Sequence, residues 1–140
     1  KLRFPQECRN VKVERCRLSS ACNAIRIGVG EGVIRDCEFS QIDVDNTATA
    51  VNIISSYMPK ARGADIHDIK FYSIQGKADR FLSLGYGRDY GWAKEAVIRD
   101  ISFQDVKIDV AQENDIREES VRPFENITFD GVSLAGEKSN

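Results

Sequence analysis

Two carboxylates one residue apart, Asp43 and Asp45 in the run IDVD, are the nearest the sequence comes to an acid–base pair. On a strand both point outward on either side of inward Val44, roughly 6.6 Å apart at the backbone. Cleavage of a glycosidic bond with inversion uses two carboxyl groups about 6.5–9.5 Å apart, one as acid and one as base. The spacing fits, but D-x-D on a solvated strand face is commonplace, and a solvated edge or a loose cation contact is the plainer reading. His67 is the only histidine. It has no nucleophile or second ligand beside it and reads as a surface residue. The four cysteines, Cys8, Cys16, Cys22 and Cys37, fit no CxxC metal pattern. No metal and no cofactor are expected.

A surface offers more chemistry than any of these residues alone. The segments NAIRIG (23–28), TAVNII (49–54) and RFLSLG (80–85) align with their apolar residues at Ile25/Ile27, Val51/Ile53 and Leu82/Leu84. The alternation turns Asn23, Arg26, Thr49, Asn52, Arg80 and Ser83 outward as one polar strip. Two long excursions follow these strands, SYMPKARGAD (56–65) and GYGRDYGWAKE (85–95), and they would wall the strip into a groove. The wall supplies Tyr57, Tyr86, Tyr90 and Trp92 with Lys60, Arg62, Arg88 and Lys94. Aromatic faces suit sugar rings, and guanidinium forks bind carboxylates in bidentate fashion. The competing reading packs Trp92 and the tyrosines onto the body of the fold and leaves the charges solvated.

The elements that would hold this strip show as an internal repeat. Five segments share one pattern: VERCRLSSA (13–21), IRDCEFSQI (34–42), IHDIKFYSI (66–74), IRDISFQDV (98–106) and FENITFDGV (124–132). Self-similarity at such a period signals a stacked architecture. Aligned on the pattern, Cys16, Cys37, Ile69, Ile101 and Ile127 form one inward column. Leu18, Phe39, Phe71, Phe103 and Phe129 form a second. Strands that return this often leave no room for crossover helices, so an all-β parallel β-helix of about five coils is expected, one segment over residues 1–140. The three-residue step from Ile34 to Cys37 breaks alternation and demands a bend. Asp36, Asp68, Asp100 and Asn126 sit inside it, where Asx residues accept left-handed backbone. This acidic column is read as a turn device, not as a metal or catalytic ladder. Cys16 and Cys37 share a column, which leaves a disulfide geometrically open beside the plainer reading of two buried thiols. The sequon at Asn126 falls inside a repeat strand and is read as fortuitous. Neither end carries a capping element, so the chain reads as a piece of a longer helix, or one met end to end by another chain.

With the columns aligned, the stretch NVKVERCRLSSACNAIRIGVGEGVIRDCEFSQI resembles the polygalacturonase family, glycoside hydrolase family 28. The resemblance rests on N-V-K-V-E-R-C-R-L-S followed by CNAIRIG. It implies a right-handed parallel β-helix, hydrolysis of acidic, uronate-containing polysaccharide, and an extracellular or periplasmic setting. Asn23 stands where the family has the histidine of its G-H-G, and Asn52-Ile53-Ile54 stands at its R-I-K clamp. The family's catalytic aspartates precede the matching stretch, so the acids are expected outside this chain.

Composition excludes other classes. The net charge is −2 and the cations are dispersed, with no basic patch of the kind nucleic acid requires. No apolar run approaches the ~20 residues of a membrane span. The expected function is part of a polygalacturonase-like hydrolase, with a non-catalytic carbohydrate-binding or scaffold module as the alternative.

Overall fold

The computed structural model describes residues 7–28, 32–55, 63–86, 96–118 and 123–136. They form strands β1 (Glu7–Arg9), β2 (Lys12–Ser19), β3 (Asn23–Ile27), β4 (Gly32–Ser55), β5 (Ala64–Tyr86), β6 (Ile98–Asp109), β7 (Asp115–Arg117) and β8 (Glu125–Ala135), with no helix among the described residues. Every pairing is parallel. The sheet runs β1-β4-β5-β6-β8, with β2 and β3 also on β4 and β7 on β5. It is open and does not close into a barrel.

The register repeats in long steps. Ile69 lies opposite Cys37, Ile101 opposite Ile69, and Ile127 opposite Ile101. The first two of these steps are equal in length and the third is shorter. Like residues therefore stack on like. Phe39, Phe71, Phe103 and Phe129 form a continuous column with ring centroids 5.0, 4.9 and 5.1 Å apart. That spacing is close to the ~4.8 Å between neighbouring strands, so the rings ride on the backbone ladder itself. Phe71 and Phe103 are fully buried, and Phe81 meets Phe103 edge-on at 5.5 Å. The second column, Ile25/Val51/Leu82 with Ile27/Ile53/Leu84, is in register as the alternation predicts.

The expected first rung is corrected. Cys16 lies opposite Ile42 and Leu18 opposite Val44, while Val13 takes the place opposite Phe39. The first step therefore runs from Cys16 to Ile42, past the Cys37 that the pattern suggests. The cause lies in the bends. Single residues with left-handed backbone recur at Asn10, Asp36, Asp68, Asp100 and Asn126, with φ between 53° and 56°. A second set follows five positions on at Arg15, Gln41, Ser73, Asp105 and Gly131. Between and after these bends, each stretch carries the same apolar-x-apolar pattern. A slip from one stretch to the next across a bend keeps every side chain facing the right way, so alternation alone cannot detect it. The left-handed positions decide the register: Asn10 stands in step with Asp36, and Arg15 with Gln41. The Asx column is thus a turn device, as its chemistry predicts.

One glycine is dictated by contact. Gly76, at φ 131°, lies opposite Val44, and a Cβ there would sit 1.9 Å from the Val44 carbonyl oxygen. Only glycine lets the two backbones approach this closely.

Candidate functional site

β3, β4 and the second half of β5 lay the polar strip out as two ladders. Asn23 pairs with Thr49 and Thr49 with Arg80, while Arg26 pairs with Asn52 and Asn52 with Ser83. Arg26, Asn52 and Ser83 face outward because Ile25, Ile27, Val51, Ile53, Leu82 and Leu84 take the alternate positions and are buried. The expected single face of six is corrected: Asn23, Thr49 and Arg80 share the parity of Ile25, Val51 and Leu82, so alternation does not turn them to it, and Asn23 is tied to it by its hydrogen bond with Asn52. The six are not equally open. Arg26 is exposed, Asn23, Asn52 and Arg80 are half-buried, and Thr49 and Ser83 are buried at the floor.

Hydrogen bonds tie the ladders together. The Asn52 amide Nδ2 donates to Asn23 Oδ1 at 3.2 Å, and Arg80 Nε donates to the Glu113 carbonyl at 2.9 Å. Asn52 Oδ1 is buried without a partner, and so is Asn114 Oδ1 beside the strip. A buried orphan acceptor is costly, and such atoms mark places where a donor is wanted. The strip also extends one rung further than the sequence alone suggests. Ser83 lies opposite Asp115, whose carboxylate accepts from Arg117 Nε at 3.0 Å. The signal was present: Asp115 follows Ser83 at the same interval that separates Ile66 from Ile98. β7 is short and polar, which hides it from a pattern search.

The expected wall is corrected at Tyr86. This side chain is 4% exposed, packs on Phe124 with centroids 5.7 Å apart, and accepts the Ile98 N–H through its hydroxyl at 3.2 Å. It belongs to the interior because it continues the inward series Leu82, Leu84, Tyr86. Arg88, Tyr90 and Trp92, with Tyr57, Lys60, Arg62 and Lys94, lie outside the described residues.

Asp43 and Asp45 sit on an earlier stretch of β4 and both are exposed, flanking buried Val44 as expected. Their surroundings differ from those of a glycosidase pair. Asp43 stands in the outward ladder Arg17–Asp43–Gln75–Lys107–Ser133, and its Oδ1 accepts Gln75 Nε2 at 2.6 Å. The open groove in front of Asp43, about 630 Å³, is lined by the cations Arg15, Arg17 and Lys107, the amides Gln41 and Gln75 and a second carboxylate, Asp105, and contains none of the strip residues. The structure keeps this pair apart from the strip.

His67 is not a free surface residue. Its Nδ1 meets Asp68 Oδ2 at 2.6 Å, and it stacks in register between Arg35 and Arg99. The neighbours compensate one another: Arg35 pairs with Asp36 and Glu7, and Arg99 with Asp100. The Asn126 amide, then Arg99, hold the Asp100 carboxyl below its ordinary value. The hydrogen bonds that Arg35 donates to the Glu7 and Asp36 carboxylates push its guanidinium up. This is a solvated charge ladder along the bend, and it leaves no group unspent for chemistry. Among the described residues, no cluster of three or more His, Cys, Asp or Glu could hold a metal. The chain matches no family model, no curated protein and no solved structure.

Proposed function

We propose that these strands are coils of a right-handed parallel β-helix, and that the chain supplies the polysaccharide-binding surface of a polygalacturonase-like glycoside hydrolase. The substrate class is acidic, pectin-type polysaccharide, and the acids that cleave the bond are supplied by residues outside this chain. The observation that carries this reading is the strip itself. Its polar side chains repeat at the strand spacing across three successive stretches, a linear array suited to a linear polymer. Arg26 is open to solvent on that strip, and a guanidinium there suits a uronate carboxylate. The orphan acceptor of Asn52 is one that a sugar hydroxyl or a water could satisfy after a small side-chain shift.

A second reading, a non-catalytic glycan-binding or scaffold module, is favoured by one feature. Asp115 is the carboxylate on the ladders, and it is engaged with Arg117. The two readings share the binding surface and differ over the acids.

The test measures binding of polygalacturonate and release of reducing ends on one sample of the 140-residue chain. Binding without release is expected. Arg26→Ala should weaken binding about tenfold or more, the value of a charge-assisted hydrogen bond of about 1.5–3 kcal/mol. Replacing Trp92 and Arg88 with alanine should weaken it further. Release of reducing ends would place the acids within this chain and make Asp43 and Asp45 the next residues to mutate. Unmeasurable binding would end the hydrolase and glycan-binding readings and leave the scaffold.

A further inference from the structure

β8 pairs only with β6, and β1 and β2 pair only with β4, so among the described residues the sheet has an open edge at each end. An open edge is a row of unpaired N–H and C=O groups ready to accept another strand. Apolar surface gathers there too. Of the four large apolar residues that are exposed, Val11 lies between β1 and β2, Ile116 on β7 and Phe129 on β8. The register says what would fit against β8. The columns run Val13–Phe39–Phe71–Phe103–Phe129 and Cys16–Ile42–Ile74–Val106–Val132. A further strand must bring apolar residues to the places of Phe129 and Val132, and left-handed backbone to the bends at Asn126 and Gly131. The β1–β2 stretch meets all four demands with Val13, Cys16, Asn10 and Arg15. We propose that the chain binds a second copy of itself head to tail, the β8 edge of one copy seated on the β1–β2 edge of the next.

Charge selects the same partner. β1 and β2 carry the cations Arg9, Lys12, Arg15 and Arg17 against the acids Glu7 and Glu14, whereas β8 carries Glu125 and Asp130 and no cation. Arg9 heads the column Arg9–Arg35–His67–Arg99–Glu125, so in the continued register Glu125 of one copy meets Arg9 of the next. A like-charge rung, Glu14 against Asp130, is offset by Arg15, which pairs with Glu14 at 3.6 Å. The second column continues as well. Ile27, Ile53, Leu84 and Ile116 lie in one line, so Ile27 of the next copy covers Ile116. Arg26 of that copy then falls one rung past Asp115, and the outward ladder Arg26–Asn52–Ser83–Asp115 runs on across the junction. The two edges differ, so each copy that binds leaves one edge of each kind free. The contact is heterologous and grows as an open stack, not as a closed pair. It rests on the strand register and does not depend on what the strip binds.

The test is sedimentation velocity of the 140-residue chain over a concentration series. The sedimentation coefficient should rise with concentration and pass the dimer without a plateau, and added salt should weaken the association. Val11→Asp sets an acid on the cationic edge, and Phe129→Lys sets a cation on the acidic one. Each places a charge under the incoming strand and should weaken self-association about tenfold or more. Mixed together, the two variants still offer one intact edge of each kind, so the mixture should form a one-to-one dimer and stop there. Arg9→Glu and Glu125→Arg, both at exposed positions, should each weaken association, and the double variant should recover it. Circular dichroism of every variant separates a blocked edge from a lost fold, and the charge swap carries the test if either edge variant fails to fold. A parent chain that stays monomeric at every concentration, its edges covered by its own ends, would overturn the proposal. So would growth that halts at a dimer, or a charge swap that neither weakens nor restores association.

Discussion

Phe71 lies between Phe39 and Phe103 in the ring column and is fully excluded from solvent, whereas Phe129 at the column's end is 45% exposed. The same residue type therefore carries different weight at two rungs. Phe71→Ala removes a buried ring with neighbours on both faces and should cost about 3–5 kcal/mol in a denaturation experiment. Phe129→Ala, half-solvated already, should cost about 1 kcal/mol. Equal costs would mean that the column is not the core it looks to be. Tyr86 shows the same principle on the candidate site. Its phenol suggested a sugar platform, and its inward parity placed it against Phe124 instead. Asn52, with one amide atom bonded and one orphaned, is the strip residue whose chemistry is least spent.

At the level of strands, the bends do what hydrophobic alternation cannot. Parity was legible for Phe39 through Phe129 and for the Ile25, Val51 and Leu82 column, because a polar residue follows each of Ile25, Val51 and Leu82 and separates it from the next inward apolar one. The offset of β2 was not legible, since Val11-x-Val13 and Cys16-x-Leu18 are interchangeable as patterns. Half of the bends were visible as well. Asp36, Asp68, Asp100 and Asn126 advertise left-handed backbone, but Arg15, Gln41 and Ser73 do not. β7 stayed hidden because so short a polar run carries no alternation, and with it went Asp115 as a member of the strip. The bend column also links the strands electrostatically. Asn126 on β8 donates to Asp100 Oδ1 at 2.8 Å, and Arg99 pairs with the same carboxylate. Because Asp100 is held below its ordinary value, these contacts stabilise the fold at pH values above the usual carboxylate range. The contribution is lost as pH falls through that range, about pH 4, and below it. Asp100→Asn keeps a residue suited to left-handed backbone and removes only the charge. Its Tm should lie below that of the parent at neutral pH, and the gap should close on acidification. A gap that stays constant with pH would assign the loss to shape and not to charge.

Across the whole molecule, the parallel register turns a one-dimensional sequence into a stack in which each stretch touches mainly the one before and the one after. The strip, the Asp43 ladder and the Arg35–His67–Arg99 ladder are separate faces of that stack. A ligand on one need not disturb the others. The step from β4 to β5 recurs unchanged from β5 to β6. The middle unit is therefore an interchangeable part. Excising residues 64–95 would bring Ile34 opposite Ile98, Cys37 opposite Ile101, Phe39 opposite Phe103 and one bend aspartate, Asp36, opposite another, Asp100. The shortened chain should keep its β-type circular dichroism and a cooperative transition at lower temperature, while a collapse to a disordered spectrum would contradict it. Length in such a chain is a matter of how many compatible segments are spliced in, so a binding face can be lengthened or shortened by duplication and loss without a new fold being invented.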